Sequence, residues 1–160
     1  MSSIAKVKEY LARFNAAGRV MELDHSSATV ELAAQALGVE GARIAKSLSF
    51  HTPDGCMIIV TAGDVKVDNA RFKAKFGYKA RMLTADEALS MTGHAVGGVC
   101  PFALPDGVKV YLDESLKRFS TVFPACGSAN SAIELTCDEL AAFTPGSEWI
   151  NVTKEVKTNS

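Results

Sequence analysis

The spacing of apolar residues along the chain predicts an alternation of helices and short strands. Near the N-terminus, the apolar side chains from Ile4 to Phe14 recur at intervals of three and four, as on the buried face of a helix. A second helix is expected over the segment TVELAAQALG, with Ser26 or Ser27 as its N-cap and Gly38 at its end.

Two apolar runs, IAKSLSFHT and CMIIVTAG, are separated by Pro53-Asp54-Gly55. Proline fixes one turn angle and glycine tolerates the next, so this combination predicts a hairpin between two strands. Further short strands are expected over residues 19–23 and in the segments KARML, VKVYLD, TVFPACG, SAIELT and EWINV. These predicted strands are enough to form a β-sheet.

Capping residues mark the later helices. Asp68 is predicted to cap a helix that runs to Gly77. Thr84 and Glu87 have the spacing of a capping box, and a last helix is expected over residues 137–143. Hairpins and short strands mixed with helices are typical of an α+β fold rather than of a repeated βαβ sheet. A length of 160 residues suits one domain.

The composition is ordinary for a globular domain, with 48% hydrophobic and 22% charged residues. A net charge of -1 excludes a global basic field that would recruit nucleic acid, so any such contact must be local. The sequence has no apolar run long enough to cross a bilayer, and its N-terminus lacks the apolar core of a secretory signal. We therefore expect a cytoplasmic protein with no membrane partner.

Cysteine and histidine spacings predict neither a metal site nor a disulfide framework. The four cysteines stand at positions 56, 100, 126 and 137, and the three histidines at 25, 51 and 94. None of these spacings is that of a zinc knuckle or of a paired-histidine site. We expect free thiols and no bound metal.

Lys46 occupies an unusual position in the first strand of the predicted hairpin. Strand alternation places it on the same face as the apolar residues Leu48 and Phe50. One interpretation is an edge position from which the ammonium reaches water, and this is the commoner case. The other is a cation at the mouth of a cavity that meets an anion such as phosphate.

The segment TGHAVGGVCPFALP, residues 92–105, combines three glycines with two prolines. It matches neither GxxxxGK[ST] nor GxGxxG, which excludes a P-loop and a dinucleotide-binding loop. Residues Gly97 to Pro101 can present consecutive backbone amides, which would suit a carbonyl oxygen that gains negative charge during attack. The alternative is a tight turn, which needs only one or two glycines. Three glycines within six residues favour a functional loop.

Two side-chain candidates remain. Cys100 and His94, six residues apart, could form a nucleophile and its base. Free cysteines in apolar surroundings are mostly small core residues, so we rank this pair below the amides. Asp113 in YLDESL could orient a partner, but capping of the next turn is favoured.

The densest basic stretch lies between residues 66 and 81, where six lysines and arginines face a single acidic residue. The commoner explanation is the solvated face of a helix. The alternative is a patch that contacts phosphates and positions RNA without reading its bases.

Four segments, in this order, resemble the YbaK/EbsC family of aminoacyl-tRNA deacylases, which are relatives of the editing domain inserted in bacterial prolyl-tRNA synthetases. The segments are IAKSLSF, GHAVGGVCPF with its Gly-x-x-x-Pro loop, VYLDESL and CGSANSAIEL. They cover about residues 20–143 and are specific in combination, although each is weak alone. One departure is Ala103, which stands where many relatives carry another glycine.

The resemblance implies hydrolysis of the ester that joins a wrong amino acid to tRNA, with a small amino acid on proline tRNA as the leading candidate. It implies that Lys46 contacts the phosphate or ribose of the terminal adenosine. It also implies that the loop residues Gly97, Gly98 and Val99 hold the aminoacyl carbonyl and position the attacking water. Substrate contacts are implied for six further residues, namely Cys100, Pro101, Phe102, Asp113, Gly127 and Ser128.

The same resemblance implies a single domain over residues 1–160, with helices around a curved, largely antiparallel mixed sheet and with no metal or organic cofactor. The expected partner is the 3′ end of aminoacyl-tRNA, and prolyl-tRNA synthetase is a further candidate. Two alternatives stay open. One is a catalytically silent module that binds tRNA or a synthetase, and the other is a cysteine hydrolase that uses Cys100 and His94.

Overall fold

Side-chain caps define where the helices begin. The computed structural model describes residues 2–156, in which every α-helix follows a Ser, Thr or Asp whose side chain accepts a hydrogen bond from the helix backbone. The helices are α1 (Ser3–Ala12), α2 (Val30–Leu37), α3 (Asn69–Phe76), α4 (Ala85–Thr92) and α5 (Cys137–Ala142). Three short 3-10 turns cover Ala17–Arg19, Gly41–Arg43 and Glu114–Arg118.

Most predicted helix limits are confirmed, and the start of α2 is a correction. Asp68 caps α3, and Thr84 forms the expected capping box of α4. The cap of α2 is Thr29, whose hydroxyl accepts a hydrogen bond from the Leu32 amide at 3.1 Å. The predicted caps Ser26 and Ser27 instead donate their hydroxyls to the carbonyl of residue 129.

The strands form one five-stranded sheet and two small ones. They are β1 (Met21–Glu22), β2 (Ile44–Thr52), β3 (Gly55–Ala62), β4 (Val65–Val67), β5 (Lys109–Asp113), β6 (Phe123–Pro124), β7 (Ser131–Ala132), β8 (Glu148–Ile150) and β9 (Thr153–Glu155). The main sheet has the order β6-β2-β3-β5-β8, while β1 pairs with β7 and β4 pairs with β9. The expected α+β fold with a mixed sheet is confirmed.

The strand directions correct one part of that expectation. The predicted hairpin is present, with β2 and β3 antiparallel from Ala45–Ala62 to Thr52–Gly55. The other three pairings of the main sheet, β2 with β6, β3 with β5 and β5 with β8, are parallel. The main sheet is therefore not largely antiparallel, because its later strands enter after long connections instead of hairpin turns.

Several predicted strands are shorter than expected. The segment KARML contributes one isolated bridge, between Met82 and Phe50, and SAIELT contributes the two residues of β7 and a bridge at Leu135. Strand β9 was not predicted, and it pairs with β4. Strands this short have too few residues for an alternation pattern to be recognised.

Helices and loops cover both faces of the main sheet. On one face, Val7 and Leu11 of α1 are fully buried in a cluster that includes Ile58 and Val60 of β3, as the N-terminal spacing predicted. On the other face, Phe72 of α3 is fully buried in a second cluster. No helix within residues 2–156 has the length and apolar character needed to span a bilayer.

Candidate functional site

A cavity of about 320 Å³ lies between the edge of β2, the start of α2 and the glycine loop. Three predicted site residues, Lys46, Gly97 and Val99, line it. The other lining residues are Ser27, Ala28, Thr29, Val30, Ala33, Leu37, Ile44, Ala45, Ser47, Leu48, Ser49, Met82, Leu83, Ala88, Val96, Phe123, Ala125, Ser131 and Ala132. The walls are mostly apolar with a few hydroxyls, which is the usual make-up of a small-molecule site.

The cavity opens at an interruption in strand pairing. Strand β6 pairs with β2 only at Ile44 and Ala45, and the next contact on that edge is the hydrogen bond from the Leu83 amide to the Ser49 carbonyl at 3.0 Å. Between these points, residues 46–48 have no neighbouring strand on this side within residues 2–156. The polar backbone of a strand edge is therefore available to a ligand.

Lys46 is half-buried beside this opening. Its ammonium donates a hydrogen bond to the carbonyl of Val65. Burial lowers the pKa of the Lys46 ammonium below its ordinary value, and the carboxylates of Asp64 and Glu31 oppose that shift. An ammonium has three donors, so two remain for an anionic or hydroxyl group of a ligand.

The glycine loop contributes Gly97 and Val99 to the cavity lining. The amides of Gly97 and Val99 donate no hydrogen bond to any acceptor within the described residues. The Gly98 amide, in contrast, already donates to the Ala95 carbonyl at 2.9 Å and closes a turn. Two amides are thus free to stabilise negative charge on an oxygen, while the third holds the turn in shape.

Glycine is required at positions 97 and 98 for different reasons. Gly97 has φ +93°, in the left-handed region, and a Cβ there would lie 3.2 Å from the Cβ of Ala28. A Cβ on Gly98 would lie 2.7 Å from the carbonyl carbon of Gly127 and 2.8 Å from the amide nitrogen of Ser128. The loop therefore packs directly on the backbone of residues 127–128. This contact brings together GHAVGGVCPF and CGSANSAIEL, two of the four segments that resemble the family.

His94 and Cys100 are part of the loop's support. The Nε2 of His94 donates to the Phe102 carbonyl at 2.8 Å, so Nδ1 is unprotonated and accepts from the Ser3 hydroxyl of α1. Burial lowers the pKa of the His94 imidazole, which keeps it neutral. The Cys100 sulfur lies 3.5 Å from Nε2, but it is fully buried, and burial raises the pKa of its thiol to about 12.

These positions do not suit a nucleophile and its base. The thiolate is the reactive form, and a pKa near 12 leaves almost none of it at neutral pH. Neither Cys100 nor His94 lines the cavity. The pair instead ties the two ends of the loop to each other and to the first helix.

The structure places the other predicted site residues outside the cavity lining. Phe102 is fully buried in the main core, and Pro101 lines a second cavity, formed with residues 103–110 and 144–146. Gly127 and Ser128 lie directly behind Gly98, where they support the loop. The structure thus brings together Lys46, Gly97 and Val99 but not these four.

Asp113 is also away from the cavity, and its carboxylate is used by the chain itself. It is fully buried and accepts hydrogen bonds from the amides of Ser115 and Val152, both at 2.9 Å, and from the Thr153 hydroxyl at 2.8 Å. The favoured interpretation of a cap for the next turn is confirmed. The contacts with residues 152 and 153 also hold the C-terminal strand.

Several residues that line the cavity were not predicted from the sequence. Ser47 directly follows Lys46, and Met82 and Val96 stand at the rim with 54% and 66% of their surface exposed. Exposed side chains of this size beside an opening are typical of a binding surface. Ser47 adjoins Lys46 and Val96 lies in the glycine loop, whereas Met82 has no such sequence signal.

No bound metal is suggested by the described residues. They contain no group of three His, Cys, Asp or Glu side chains that could hold an ion. The cysteines at 56, 100, 126 and 137 form no disulfide with one another.

Some side chains of the basic stretch between residues 66 and 81 form contacts within the fold. Lys75 pairs with Glu148 at 2.6 Å, and Arg71 donates to the Thr153 carbonyl at 2.8 Å. Its last member, Arg81, is exposed and adjoins Met82 at the cavity rim. This end of the stretch therefore adjoins the cavity lining in sequence.

Comparisons with known proteins identify the family of this chain. Residues 24–143 match the family model of the aminoacyl-tRNA editing domain. The chain is 53% identical to the uncharacterized protein YwhH of Bacillus subtilis over 154 residues, which are 96% of this chain and 98% of that protein. It is also 32% identical to a proline--tRNA ligase of Halalkalibacterium halodurans over 104 residues, 64% of this chain but only 18% of the ligase.

A solved structure extends the likeness to the whole fold. It is named as a proposed trans-editing enzyme for prolyl tRNA synthetase, and it superposes with a TM-score of 0.86 at 30% identity, covering 96% of this chain and 98% of its own. The matched family segment includes Lys46, the glycine loop and the 127–128 support. The chain therefore belongs to the aminoacyl-tRNA editing domain family, related to YbaK and to the editing domain of prolyl-tRNA synthetases.

Proposed function

We propose that this protein is a deacylase that hydrolyses the ester of mischarged aminoacyl-tRNA, releasing a small amino acid from proline tRNA. The observation that carries the proposal is a cavity lined by Lys46 of β2 and by Gly97 and Val99, whose amides donate to no acceptor within residues 2–156. Membership of the editing-domain family supports the reaction type. The names of two relatives, a proline--tRNA ligase and a proposed trans-editing enzyme for its synthetase, support the choice of tRNA.

In this proposal the backbone supplies the chemistry. Water adds to the ester carbonyl carbon, the bond to the ribose oxygen breaks, and the products are the free amino acid and a tRNA whose terminal hydroxyl is restored. The carbonyl oxygen gains negative charge on the way, and the amides of Gly97 and Val99 would donate to it. One well-placed donor of this kind lowers a barrier by about 3 kcal/mol.

An aminoacyl ester is already activated, so it needs no strong side-chain nucleophile. Lys46 would use its two remaining donors on the phosphate or ribose of the terminal adenosine and so hold the ester in place. The exposed side chains of Met82 and Val96 lie at the rim, where the nucleoside would enter.

The size and character of the cavity support a small acyl group. Its volume of about 320 Å³ is near the lower end of the range of ligand pockets, about 300–1,000 Å³. Small side chains such as Ala28, Ala33 and Ala125 form part of the walls. A polar lysine at one side and apolar walls at the other suit a nucleotide joined to a small amino acid.

The test is release of amino acid from proline tRNA charged with Ala, Ser, Cys, Thr or 2-aminobutyrate. We expect wild type to hydrolyse one or two of these esters. Lys46→Ala should lower kcat/KM about 10- to 100-fold, which corresponds to the loss of one hydrogen bond to a charged group. The matched control is Lys109→Ala, an exposed lysine on β5 outside the cavity lining and outside the basic stretch, which should leave the rate unchanged.

Each result decides between the candidate functions. No turnover on any ester, with tRNA still bound, would overturn the deacylase and favour a silent binding module. Equal activity of the Lys46→Ala and Lys109→Ala variants would overturn the role of Lys46. A salt-sensitive tRNA interaction without hydrolysis would assign the exposed basic residues a binding role alone.

A further inference from the structure

Ser49 of β2 has a hydroxyl that the chain leaves unpaired in the wall of the cavity. Only 6% of the residue's surface is exposed, and its Oγ has no hydrogen-bond partner within residues 2–156. Buried polar groups in native proteins nearly always have a partner, so an unpaired one calls for an explanation. Because Ser49 lines the cavity, a ligand can be that partner.

The hydroxyl of Ser49 is within reach of such a ligand. Among residues 2–156, the Oγ of Ser47 is the one enclosed side-chain nitrogen or oxygen without a partner, and it is too deeply buried for a ligand to contact. The Oγ of Ser49 is not enclosed in this way, so it keeps accessible surface. Of the two unpaired hydroxyls on this strand, a ligand can therefore contact that of Ser49.

The other reachable hydroxyls of the cavity lining are already engaged. Ser27 and Ser131 each donate a hydrogen bond to a backbone carbonyl of the chain. The hydroxyl of Thr29 accepts the capping hydrogen bond at the start of α2. These groups shape the walls, whereas the hydroxyl of Ser49 is left for a ligand.

The surroundings of Ser49 are mainly apolar. Its cross-strand neighbour on β3 is Ile58, which is fully buried, and residues opposite each other in an antiparallel pair carry their side chains on the same face. Val99 of the glycine loop packs against the core cluster that contains Ile58. The Ser49 carbonyl accepts from the amide of Leu83, whose side chain also lines the cavity.

Ser49 and Lys46 lie at different ends of the open edge of β2. They are three residues apart, which is about 10 Å along a strand, and strand alternation directs their side chains to opposite faces. Lys46 is the residue proposed to hold the terminal adenosine. Ser49 is therefore placed for the other part of the ester, the acyl group.

The α-amino group of the ester is a poor partner for Ser49. As an ammonium it carries a charge and three donors, and burial beside one hydroxyl would leave two of them unpaired. The cavity lining contains no Asp or Glu that could balance this charge. An uncharged hydroxyl on the amino-acid side chain has no such cost.

We propose that the Ser49 hydroxyl forms a hydrogen bond with a side-chain hydroxyl of the acyl group, so that the cavity prefers esters of a small hydroxyl amino acid, such as serine, to apolar esters of the same size. This inference rests on the proposed deacylase function, whose substrate class it narrows. The two hydroxyls satisfy each other, whereas an apolar acyl group of the same shape leaves the Ser49 hydroxyl unpaired.

Binding of two uncleavable substrate analogues tests the proposal without requiring turnover. The probes are 3′-amino-3′-deoxyadenosine acylated with serine or with 2-aminobutyrate, whose side chains differ only by a hydroxyl in place of a methyl group. Their affinities would be measured by calorimetry with wild type, Ser49→Ala and Ser90→Ala. Ser90 is an exposed serine of α4 outside the cavity lining and serves as the control.

The expected result is a loss of preference. Wild type and Ser90→Ala should bind the seryl analogue about tenfold more tightly than the aminobutyryl analogue, as one hydrogen bond between uncharged groups allows. Ser49→Ala should weaken binding of the seryl analogue about tenfold and leave that of the aminobutyryl analogue unchanged.

The other outcomes separate this inference from the proposed function. If wild type binds both analogues and Ser49→Ala changes neither affinity, or weakens both equally, the contact with the side-chain hydroxyl is refuted and the deacylase stands. If wild type binds neither analogue, the proposed substrate is wrong and the inference fails with it.

Stability gives a second readout that separates a substrate contact from a structural role. The Ser49 hydroxyl has no partner within residues 2–156, so its removal should leave the free energy of unfolding unchanged or slightly raised. Loss of affinity together with clear destabilisation would contradict the proposal, because it would show that the hydroxyl supports the fold.

Discussion

Gly98 offers a sharp test that backbone packing positions the glycine loop. In Gly98→Ala, the new Cβ would lie 2.7 Å from the Gly127 carbonyl carbon and 2.8 Å from both its oxygen and the Ser128 amide nitrogen. These are backbone atoms, which cannot swing aside as the end of a flexible side chain can. The loop or the 127–128 segment must therefore shift.

The expected cost follows from that overlap. Extra atoms forced into a packed interior destabilise a protein by about 1–3 kcal/mol. In a domain of 160 residues this corresponds to a Tm lower by roughly 2–12 °C. A shift of the loop also moves the amides of Gly97 and Val99, and misplacement by about 1 Å can cost roughly 100-fold in rate.

Gly18→Ala is the matched control, because no atom lies within 4 Å of a Cβ there and its backbone is outside the left-handed region. At such a site alanine stabilises by about 0.4–1 kcal/mol or has no effect. Thermal unfolding and deacylation rates would be compared for both variants. If Gly98→Ala is as stable and as active as Gly18→Ala, the packing of the loop on residues 127–128 does not position the site.

Two further predictions concern Cys100 and Glu139. Cys100→Ala should keep most of the deacylation rate, because the thiol is buried and its pKa is about 12. A rate lower by several orders of magnitude in the same assay would instead support the cysteine hydrolase hypothesis. The hydrogen bond from Arg19 lowers the pKa of the Glu139 carboxyl from 4.5 to about 2. The ionised carboxylate therefore stabilises the fold above pH 4.5, and that contribution is lost as the pH falls toward 2. Urea unfolding across this range should show a smaller loss for Glu139→Gln than for wild type, and equal losses would refute this assignment.

Local features of the fold were predictable because their causes lie within a few residues. The capping box of Thr84 and Glu87 and the hairpin at residues 53–55 each depend on one short segment. The parallel entry of β5, β6 and β8 depends instead on where long connections return, which no local pattern encodes. Asp113 could be predicted as a cap, but its bond to Val152 joins residues 39 positions apart.

The candidate site was predictable only in part for the same reason. Lys46 and the glycine loop stand out by residue type, since a lysine in an apolar strand and three close glycines both need explaining. Ser47 has no such signal, and its place in the cavity lining follows only from the folded chain. The contact of Gly98 with Gly127 likewise joins segments that only the fold brings together.

In the glycine loop, His94 and Cys100 support the backbone and do not line the cavity. His94 and Cys100 are the chemically reactive residues of the segment, yet both are buried, and His94 bonds to Ser3 and to the Phe102 carbonyl. The same bonds fix the ends of the turn in which the Gly98 amide is used and the amides of Gly97 and Val99 are left free. A loop that acts through amides needs such an anchor, because a donor stabilises charge only where it is held in position. Substitution of His94 should therefore disturb the proposed reaction through the geometry of the loop and not through loss of a base.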